Sequence, residues 1–347
     1  MSLIERLTAK LQRHPKRIIF PEGTDPRILQ AARQCKTRRM GVPILLGDRS
    51  LIKKRAEQLD IDLTGIRLIE PERSESFEDF VRNLENVRRY KGMQVDEVRE
   101  AMKSTNVFAT MMLATAQADA IVSGATVSAS SALRPLFRII PLQEGVKTAS
   151  SMLILDLEKK ELGLDGVLFL SDCGVIPDPT AEQMADIAVT TAKIAHHLTN
   201  EVPRVAMLGF SSKSSNPKHP SIAKVQAATA LARDKVKRLG LEIEIDGEMQ
   251  VDAALDARTA EIKGVGGFVA GRANVLIFPD LNSGNIAAKM VQHIAGANAY
   301  GQIITGLQKP AAEISRGMSA HDVFGAACIV GCQAIDHRLL YGEGQVS

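Results

Sequence analysis

One segment near the carboxyl end of the chain holds a hydroxyl, a guanidinium and a carboxylate within eight residues. Ser315 and Arg316 precede a flexible glycine, and Asp322 falls in the first turn of an amphipathic pattern that begins at Ser319. Helix N-termini present unpaired N–H groups and a partial positive charge, so they are ready sites for anions. The segment therefore places an acid, a base and an anion-binding group close together at the start of a predicted helix.

The same residues also fit a purely structural role. Ser319 and Asp322 match the S-x-x-D capping pattern, in which the carboxylate satisfies backbone donors of the first helical turn. Arg316 fits equally well as a charge on the surface. The local pattern leaves both roles open for these residues.

Composition limits the classes of protein to which the chain can belong. Its 347 residues favour two domains or one large α/β domain. Aromatic residues are 4% of the chain and Trp is absent, which argues against stacking platforms for single-stranded nucleic acid. The net charge of +3 is a weak indication of anionic ligands. We expect small-molecule substrates and no nucleic-acid partner.

The cysteines and the apolar runs indicate a compartment. Four cysteines occur without a CxxC pair, so we expect neither a zinc site nor any other metal. Few cysteines suit a reducing cytosol. The first fourteen residues lack the apolar core of a secretory signal, and no apolar run is long enough to span a bilayer. We therefore expect a cytoplasmic protein without a membrane partner.

The order of elements predicts an α/β fold with two domains. A strand at 17–20, a helix that begins with Asp25 as N-cap and Pro26 at its first position, and a strand at 43–46 indicate a parallel sheet with crossover helices. A helix is predicted over 77–91, with Gly92 just after its end.

A second anion site is predicted after a strand at 120–123. The loop 124–128 consists of small and hydroxyl residues, and a helix follows from about Ser130. Such a loop lets an anion approach the backbone, and Arg134 lies one turn inside the helix. On its own this pattern is weak evidence, because many βα loops look similar. The glycines of 264–267 do not form a dinucleotide fingerprint, since their spacing is wrong and they precede a strand.

Taken together, the segments of this chain resemble the phosphate acetyltransferases (phosphotransacetylases) of the phosphate acyltransferase family. The resemblance runs essentially end to end. The segments that carry it include F-P-E-G (20–23), R-R-Y-K-G-M (88–93), S-G-A (123–125), L-R-P (133–135), P-R-V-A-M-L (203–208), D-G-E (246–248) and S-R-G (315–317).

The resemblance implies a fold, a reaction and an assembly. The reaction is acetyl-CoA plus phosphate to give CoA plus acetyl phosphate, with CoA as a substrate and no tightly bound cofactor. The fold is two α/β domains with mainly parallel sheets flanked by helices, similar to the isocitrate and isopropylmalate dehydrogenases, with the active cleft between the domains. We place the first domain at 1–150 with 305–347 and the second at 151–304. A homodimer is also implied.

The resemblance also assigns roles to residues. Ser315, Arg316 and Asp322 take the catalytic roles, and the substrate-binding positions are Arg88, Arg134 and Ser128. The choice of Arg88 over the adjacent Arg89 is an alignment choice. Residues 313–318 read E-I-S-R-G-M where family members commonly have D-L-S-R-G-C, a difference that leaves the preferred acyl chain open.

The chemistry we expect is a direct transfer in a ternary complex, without an acyl-enzyme. A thiolate of CoA attacks the carbonyl of acetyl phosphate, phosphate leaves, and Asp322 takes the thiol proton. Proton transfer from a free thiol to a free carboxylate is unfavourable by roughly 6 kcal/mol. Burial that raises the pKa of the carboxyl group, or a guanidinium that lowers the pKa of the thiol, has to reduce the difference between the two pKa values. Arg316 and Ser315 would stabilise the developing oxyanion.

Three alternatives stay open. A phosphate butyryltransferase or another acyl-chain specialist has the same chemistry. An NAD-dependent decarboxylating dehydrogenase on the same architecture needs a metal held by carboxylates, for which Asp246, Glu248 and Asp252 are the candidates. A CoA-binding protein without catalytic activity is not favoured by the intact Ser-Arg and Asp set.

Overall fold

The computed structural model describes residues 2–87, 92–213, 218–335 and 340. The strands in these ranges are, in chain order, β1 (Lys16–Phe20), β2 (Gly41–Leu46), β3 (Arg67–Ile69), β4 (Ala120–Ser123), β5 (Ser150–Asp156), β6 (Val167–Ser171), β7 (Arg204–Leu208), β8 (Glu244–Met249), β9 (Val275–Ile277), β10 (Asn298–Thr305) and β11 (Ala311–Glu313). The α-helices are α1 (Leu3–Arg13), α2 (Pro26–Thr37), α3 (Arg49–Gln58), α4 (Phe77–Asn86), α5 (Val95–Lys103), α6 (Thr105–Ala114), α7 (Ala129–Ile139), α8 (Ala181–Thr199), α9 (Pro220–Leu239), α10 (Val251–Leu255), α11 (Ala257–Ile262), α12 (Leu281–Ile294) and α13 (Ala320–Gln333).

The chain divides into two compact units. Unit 1 comprises Met1–Gln143 and Leu307–Ser347, and unit 2 comprises Glu144–Gly306. The domain limits that we expect from the sequence lie within seven residues of these, and they stay a prediction. No described helix is long and apolar enough to cross a membrane.

The strands of unit 1 form a parallel arrangement in the order β3-β2-β1-β4-β11. The chain moves outward from β1 to β2 and β3, and then returns to place β4 on the opposite side of β1. The strand order therefore reverses between β1 and β4. In open α/β sheets this reversal opens a crevice at the carboxyl ends of the strands, where ligands bind.

The helices of unit 1 that matter for the site begin at side-chain caps. Asp25 accepts hydrogen bonds from the first turn of α2, Ser128 from that of α7, and Ser319 from that of α13. Helix α13 is apolar on almost every side and packs against α1 and α2. Its two cysteines, Cys328 and Cys332, are buried in the core.

Unit 2 has the strand order β10-β5-β6-β9-β7-β8. Strand β5 is antiparallel to both β10 and β6, while the pairs β6–β9, β9–β7 and β7–β8 are parallel. The mainly parallel, helix-flanked α/β class expected from the sequence is confirmed. The antiparallel β5–β6 pair, joined by residues 157–166, is a hairpin.

Two elements differ from the sequence-based expectation. The helix predicted over 77–91 ends at Asn86, and Val87 is already extended with φ −66° and ψ 124°. Leu84 is the last buried position of this helix, and Gly92 is not the residue after its end. Strand β11 was not predicted, because a segment of only three residues carries too little pattern. It exists through its pairing with β4.

Candidate active site

Three loops meet at the carboxyl ends of β1, β4 and β11. They comprise residues 21–25, 124–128 and 314–319. Because β4 pairs with both β1 and β11, the three loops start side by side. The last two are also in contact: Ile314 N donates to Ser123 O at 2.8 Å, and a Cβ on Gly124 would lie 2.5 Å from Ile314 O. Gly124 also has a φ of +112°, which side chains rarely allow. The close contact and the backbone conformation therefore both require glycine at this position.

The loop after β11 is a tight turn that exposes Ser315 and Arg316. Met318 N donates to Ser315 O at 3.1 Å, and Ser315 N contacts Met318 Sδ at 3.3 Å. Met318 is buried and anchors the turn, whereas Ser315, Arg316 and Gly317 are exposed. The hydroxyl and the guanidinium proposed for catalysis are thus side by side on an accessible turn.

Asp322 forms the capping box that its sequence pattern allows. Its Oδ2 accepts hydrogen bonds from Ser319 N at 2.9 Å and from Ser319 Oγ at 2.8 Å, while its own N–H donates to Ser319 Oγ at 3.2 Å. The capping role is therefore confirmed. The side chain is half-buried, and its hydrogen bonds within the described ranges all use Oδ2. A second role as base stays a prediction.

The loop after β4 ends in a cluster of three hydroxyls. Ser128 Oγ accepts from Ser131 N at 3.3 Å and lies 3.0 Å from Ser130 Oγ and 2.9 Å from Ser131 Oγ. All three side chains are exposed at the N-terminus of α7. Arg134, on the same helix, is exposed and forms no ion pair with any described residue. The arrangement suits an anion, because a helix N-terminus with three exposed hydroxyls is followed on the same helix by an exposed guanidinium.

Arg88 and Arg89 lie outside the described residues. The choice of Arg88 over Arg89 as the anion-binding arginine therefore stays a prediction.

Arg27 is a residue to which the sequence assigns no function. Its Nε donates to Asp25 Oδ1 at 3.0 Å and its Nη2 to Asp25 Oδ2 at 2.8 Å. Nη2 also donates to Ala125 O at 2.7 Å, and Nη1 to Arg316 O at 2.5 Å and to Met318 O at 3.1 Å. One guanidinium thus joins all three loops. Its partners outside its own loop are 98 and 289 or more residues away in sequence, so no local pattern could identify it.

Glu22 is a buried carboxyl group between the loops after β1 and β4. Only 7% of the residue is exposed, and its Oε1 accepts from Gly124 N at 2.9 Å. Its Oε2 is buried without a hydrogen-bond partner among the described residues. Burial raises the pKa of Glu22 to about 7, and hydrogen bonds from the backbone of Gly124 and Ala125 only partly offset this.

Asp25 is kept ionised next to Glu22. Burial by itself would raise the pKa of Asp25, but the hydrogen bonds and charge of Arg27 outweigh this effect, and the pKa lies below its usual value. Two carboxyl groups three positions apart in the same loop therefore have pKa values shifted in opposite directions. The feature that could have identified Glu22 and Asp25 is the position of their loop after β1, where the strand order reverses.

The carboxylates that a dehydrogenase would use for a metal are engaged elsewhere in unit 2. Asp246 forms ion pairs with Lys213 and Arg233, and Asp252 forms one with Lys263 at 2.6 Å. Within the described ranges, no group of three or more His, Cys, Asp or Glu side chains is arranged to hold a metal ion. This geometry does not favour the dehydrogenase alternative.

Comparisons with known proteins agree on one family. A family model described as "Phosphate acetyl/butaryl transferase" matches residues 2–330. A phosphate acetyltransferase from Thermoanaerobacterium thermosaccharolyticum is 40% identical over 334 residues, which are 96% of this chain and 100% of that protein. The structure of EutD phosphotransacetylase from Staphylococcus aureus superposes with a TM-score of 0.86 at 36% identity, covering 96% of this chain and 98% of that one.

A more distant structural likeness concerns the fold alone. A structure from Salmonella typhimurium that is named as a 4-hydroxythreonine-4-phosphate dehydrogenase superposes with a TM-score of 0.50 at 13% identity, covering 94% of this chain and 99% of that one. This agrees with the dehydrogenase-like architecture expected from the sequence and carries no information on activity.

Proposed function

Because the chain belongs to the phosphate acetyl/butaryl transferase family, we propose that it transfers an acetyl group reversibly between CoA and inorganic phosphate. Acetyl-CoA and phosphate give CoA and acetyl phosphate, an acyltransferase reaction of acetate metabolism. The observation that carries the proposal is the match along almost the whole chain to proteins named for this activity.

The transfer is direct, within a ternary complex of enzyme, CoA and acetyl phosphate. The thiol of CoA loses its proton to Asp322, and the sulfur forms a bond to the acetyl carbon. The bond from that carbon to the phosphate oxygen breaks, and phosphate leaves with the electron pair. The exposed position of residues 315–317 supports this role, since two substrates need access to them. Holding both substrates in line supplies much of the acceleration.

Arg316 and Ser315 stabilise the charge that develops during the transfer. A guanidinium stays ionised at all relevant pH and donates to two oxygens at once, so Arg316 suits the carbonyl and phosphate oxygens. Ser315, its neighbour, donates a hydrogen bond to the same oxyanion. Arg134 and the Ser128 hydroxyl hold phosphate or the phosphates of CoA, and Arg88 has the same role.

The four cysteines do not support a covalent acyl-enzyme. All are buried, and burial raises the pKa of Cys35 and Cys332 to about 12 and also raises the pKa of Cys173 and Cys328 well above the usual value of a thiol. A thiolate is the nucleophilic form, so such groups are poor acyl acceptors. Free, buried cysteines also support the reducing environment of the cytoplasm.

A homodimer is supported by an apolar stripe on α12. Ile286, Met290 and Ile294 are spaced by four residues on one helix face, and they are 58%, 53% and 77% exposed. Solvent-exposed apolar side chains in contiguous rows mark surfaces that associate. We propose that a second copy of the chain covers this stripe.

One coupled assay tests the activity. We expect the purified chain to release free thiol from acetyl-CoA only when phosphate is present, and to form acetyl phosphate in equal amount. Thiol release that does not depend on phosphate would refute the proposal. Replacing acetyl-CoA by butyryl-CoA in the same assay tests the phosphate butyryltransferase alternative, and a higher kcat/KM for the longer chain would favour it.

A further inference from the structure

The guanidinium of Arg27 makes as many hydrogen bonds as its chemistry permits. A guanidinium carries five N–H donors in a planar fork. One on Nε and one on Nη2 bind the Asp25 carboxylate, the second on Nη2 binds Ala125 O, and the two on Nη1 bind Arg316 O and Met318 O. Every donor has its own acceptor. No donor of Arg27 is left to bind a substrate anion, which separates it from the arginines proposed above.

We propose that Arg27 is a positioning residue for acyl transfer, which holds the 315–318 turn in the conformation that presents Ser315 and Arg316 to the substrates. This inference rests on the proposed function, because it assumes the roles given there to the two side chains. Arg27 acts through the backbone of the turn and touches neither substrate.

The side chain of Arg27 is itself fixed by burial and by hydrogen bonds. Its side chain is only 25% exposed, and that of Asp25 is 9% exposed. Asp25 also accepts from Arg27 N at 2.8 Å and caps α2, so the helix, the carboxylate and the guanidinium form one unit. Charge-assisted bonds in a partly buried place are stronger than those in water. The turn is therefore fastened to the first turn of a helix and to the neighbouring loop at Ala125.

The orientation of one peptide follows from these bonds. The C=O of a trans peptide and the N–H of the next residue point in opposite directions. Since Arg316 O points at Arg27, the N–H of Gly317 points away from it. Gly317 is exposed, and its N–H has no acceptor among the described residues. Arg27 thus leaves a backbone donor free on the turn, next to Ser315 and Arg316, where an oxyanion can accept it.

Lysine cannot reproduce this arrangement. An ammonium has three donors around one nitrogen, whereas the five acceptors lie around a planar fork on three separate loops. Arg27→Lys keeps the charge but releases at least two acceptors. We expect the turn to shift, and a displacement of about 1 Å can cost about 10²-fold in rate.

The test compares Arg27→Lys and Arg27→Ala with Arg33→Ala. Arg33 is on the same helix and pairs with Asp62 at the surface, so it controls for the loss of an arginine from α2. We expect kcat to fall about 10²-fold in both Arg27 variants, with KM for both substrates within about three-fold of wild type. Added guanidinium ion should restore part of the kcat of Arg27→Ala. Arg33→Ala should keep full activity.

Several outcomes would overturn the proposal. They are a folded Arg27→Ala with kcat within two-fold of wild type, a loss that appears in KM alone, and a loss that guanidinium does not reverse. Variants that stay unfolded by circular dichroism even with guanidinium would make Arg27 a folding residue instead. The wild-type assay separates this test from that of the function: if wild type makes no acetyl phosphate, the function fails before Arg27 is tested.

Discussion

The buried carboxyl of Glu22 should make the stability of unit 1 depend on pH. Burial raises the pKa of Glu22 to about 7 in the folded chain, whereas an unfolded chain has the ordinary value of 4.5. Between pH 4.5 and pH 7 the folded chain binds the proton of Glu22 more tightly than the unfolded chain does. The contribution of Glu22 to stability is therefore complete below pH 4.5 and is lost as pH rises through 7.

The size of the effect follows from the shift. A difference of about 2.5 pKa units at about 1.4 kcal/mol per unit gives about 3 kcal/mol in all. Of this, about 2.5 kcal/mol is lost between pH 5 and pH 8.5, because the unfolded carboxyl has already begun to ionise at pH 5. That is a large part of the free energy of unfolding of an ordinary domain.

Glu22→Gln isolates this contribution. A glutamine keeps an oxygen to accept from Gly124 N but has no proton to lose. Urea unfolding of wild type and variant at pH 5, 6, 7 and 8.5 measures two curves of free energy against pH. We expect the wild-type curve to fall by about 2.5 kcal/mol more than the Glu22→Gln curve. A difference between the two curves that does not change with pH reports only the effect of the amide itself on the free energy of unfolding.

The control is Glu57→Gln, which changes an exposed carboxylate on α3 of the same unit. Its curve should run parallel to that of wild type. If the Glu22→Gln curve is also parallel to wild type, Glu22 does not hold its proton in the folded chain, and the reasoning from its burial is refuted.

The remaining predictions concern the cap, the loop contact and the dimer. Asp322→Asn should lower kcat by roughly 10²–10⁴-fold in the acetyl phosphate assay, because it removes the proposed base. Ser319→Ala should cost about 1 kcal/mol of stability in urea unfolding, with kcat kept. Gly124→Ala should lower Tm and kcat together, because its Cβ would lie 2.5 Å from Ile314 O at a φ of +112°. Met290→Glu should convert the proposed dimer to a monomer in analytical ultracentrifugation, because it places a charge on the apolar stripe of α12.

Each of these has an outcome that contradicts it. If Asp322→Asn and Ser319→Ala lose stability alike and both keep their turnover, Asp322 is only a cap. A Gly124→Ala variant with unchanged Tm would mean that the two loops separate without cost. A Met290→Glu variant with the same sedimentation coefficient as wild type would remove the support that α12 gives to the dimer.

The sequence by itself was sufficient for features that depend on neighbouring residues. Asp25 and Ser319 each cap a helix through atoms two or three positions along the chain, so their residue types and spacing predicted them. The end-to-end set of segments likewise identified the family, which the comparisons confirmed. The apolar face of α4 was predicted, but its end was not, since that depends on where the core stops supporting the helix.

Only the tertiary structure decided which loops come together. The strand order places β4 between β1 and β11, and this brings the loops of Glu22, Gly124 and Ser315 to one edge. Arg27 then reaches carbonyls 98 and 289 residues away. A backbone carbonyl is the same group at every position in a sequence, so no residue pattern can indicate that an arginine will bind it. The parallel pairing of strands distant in the chain creates those contacts.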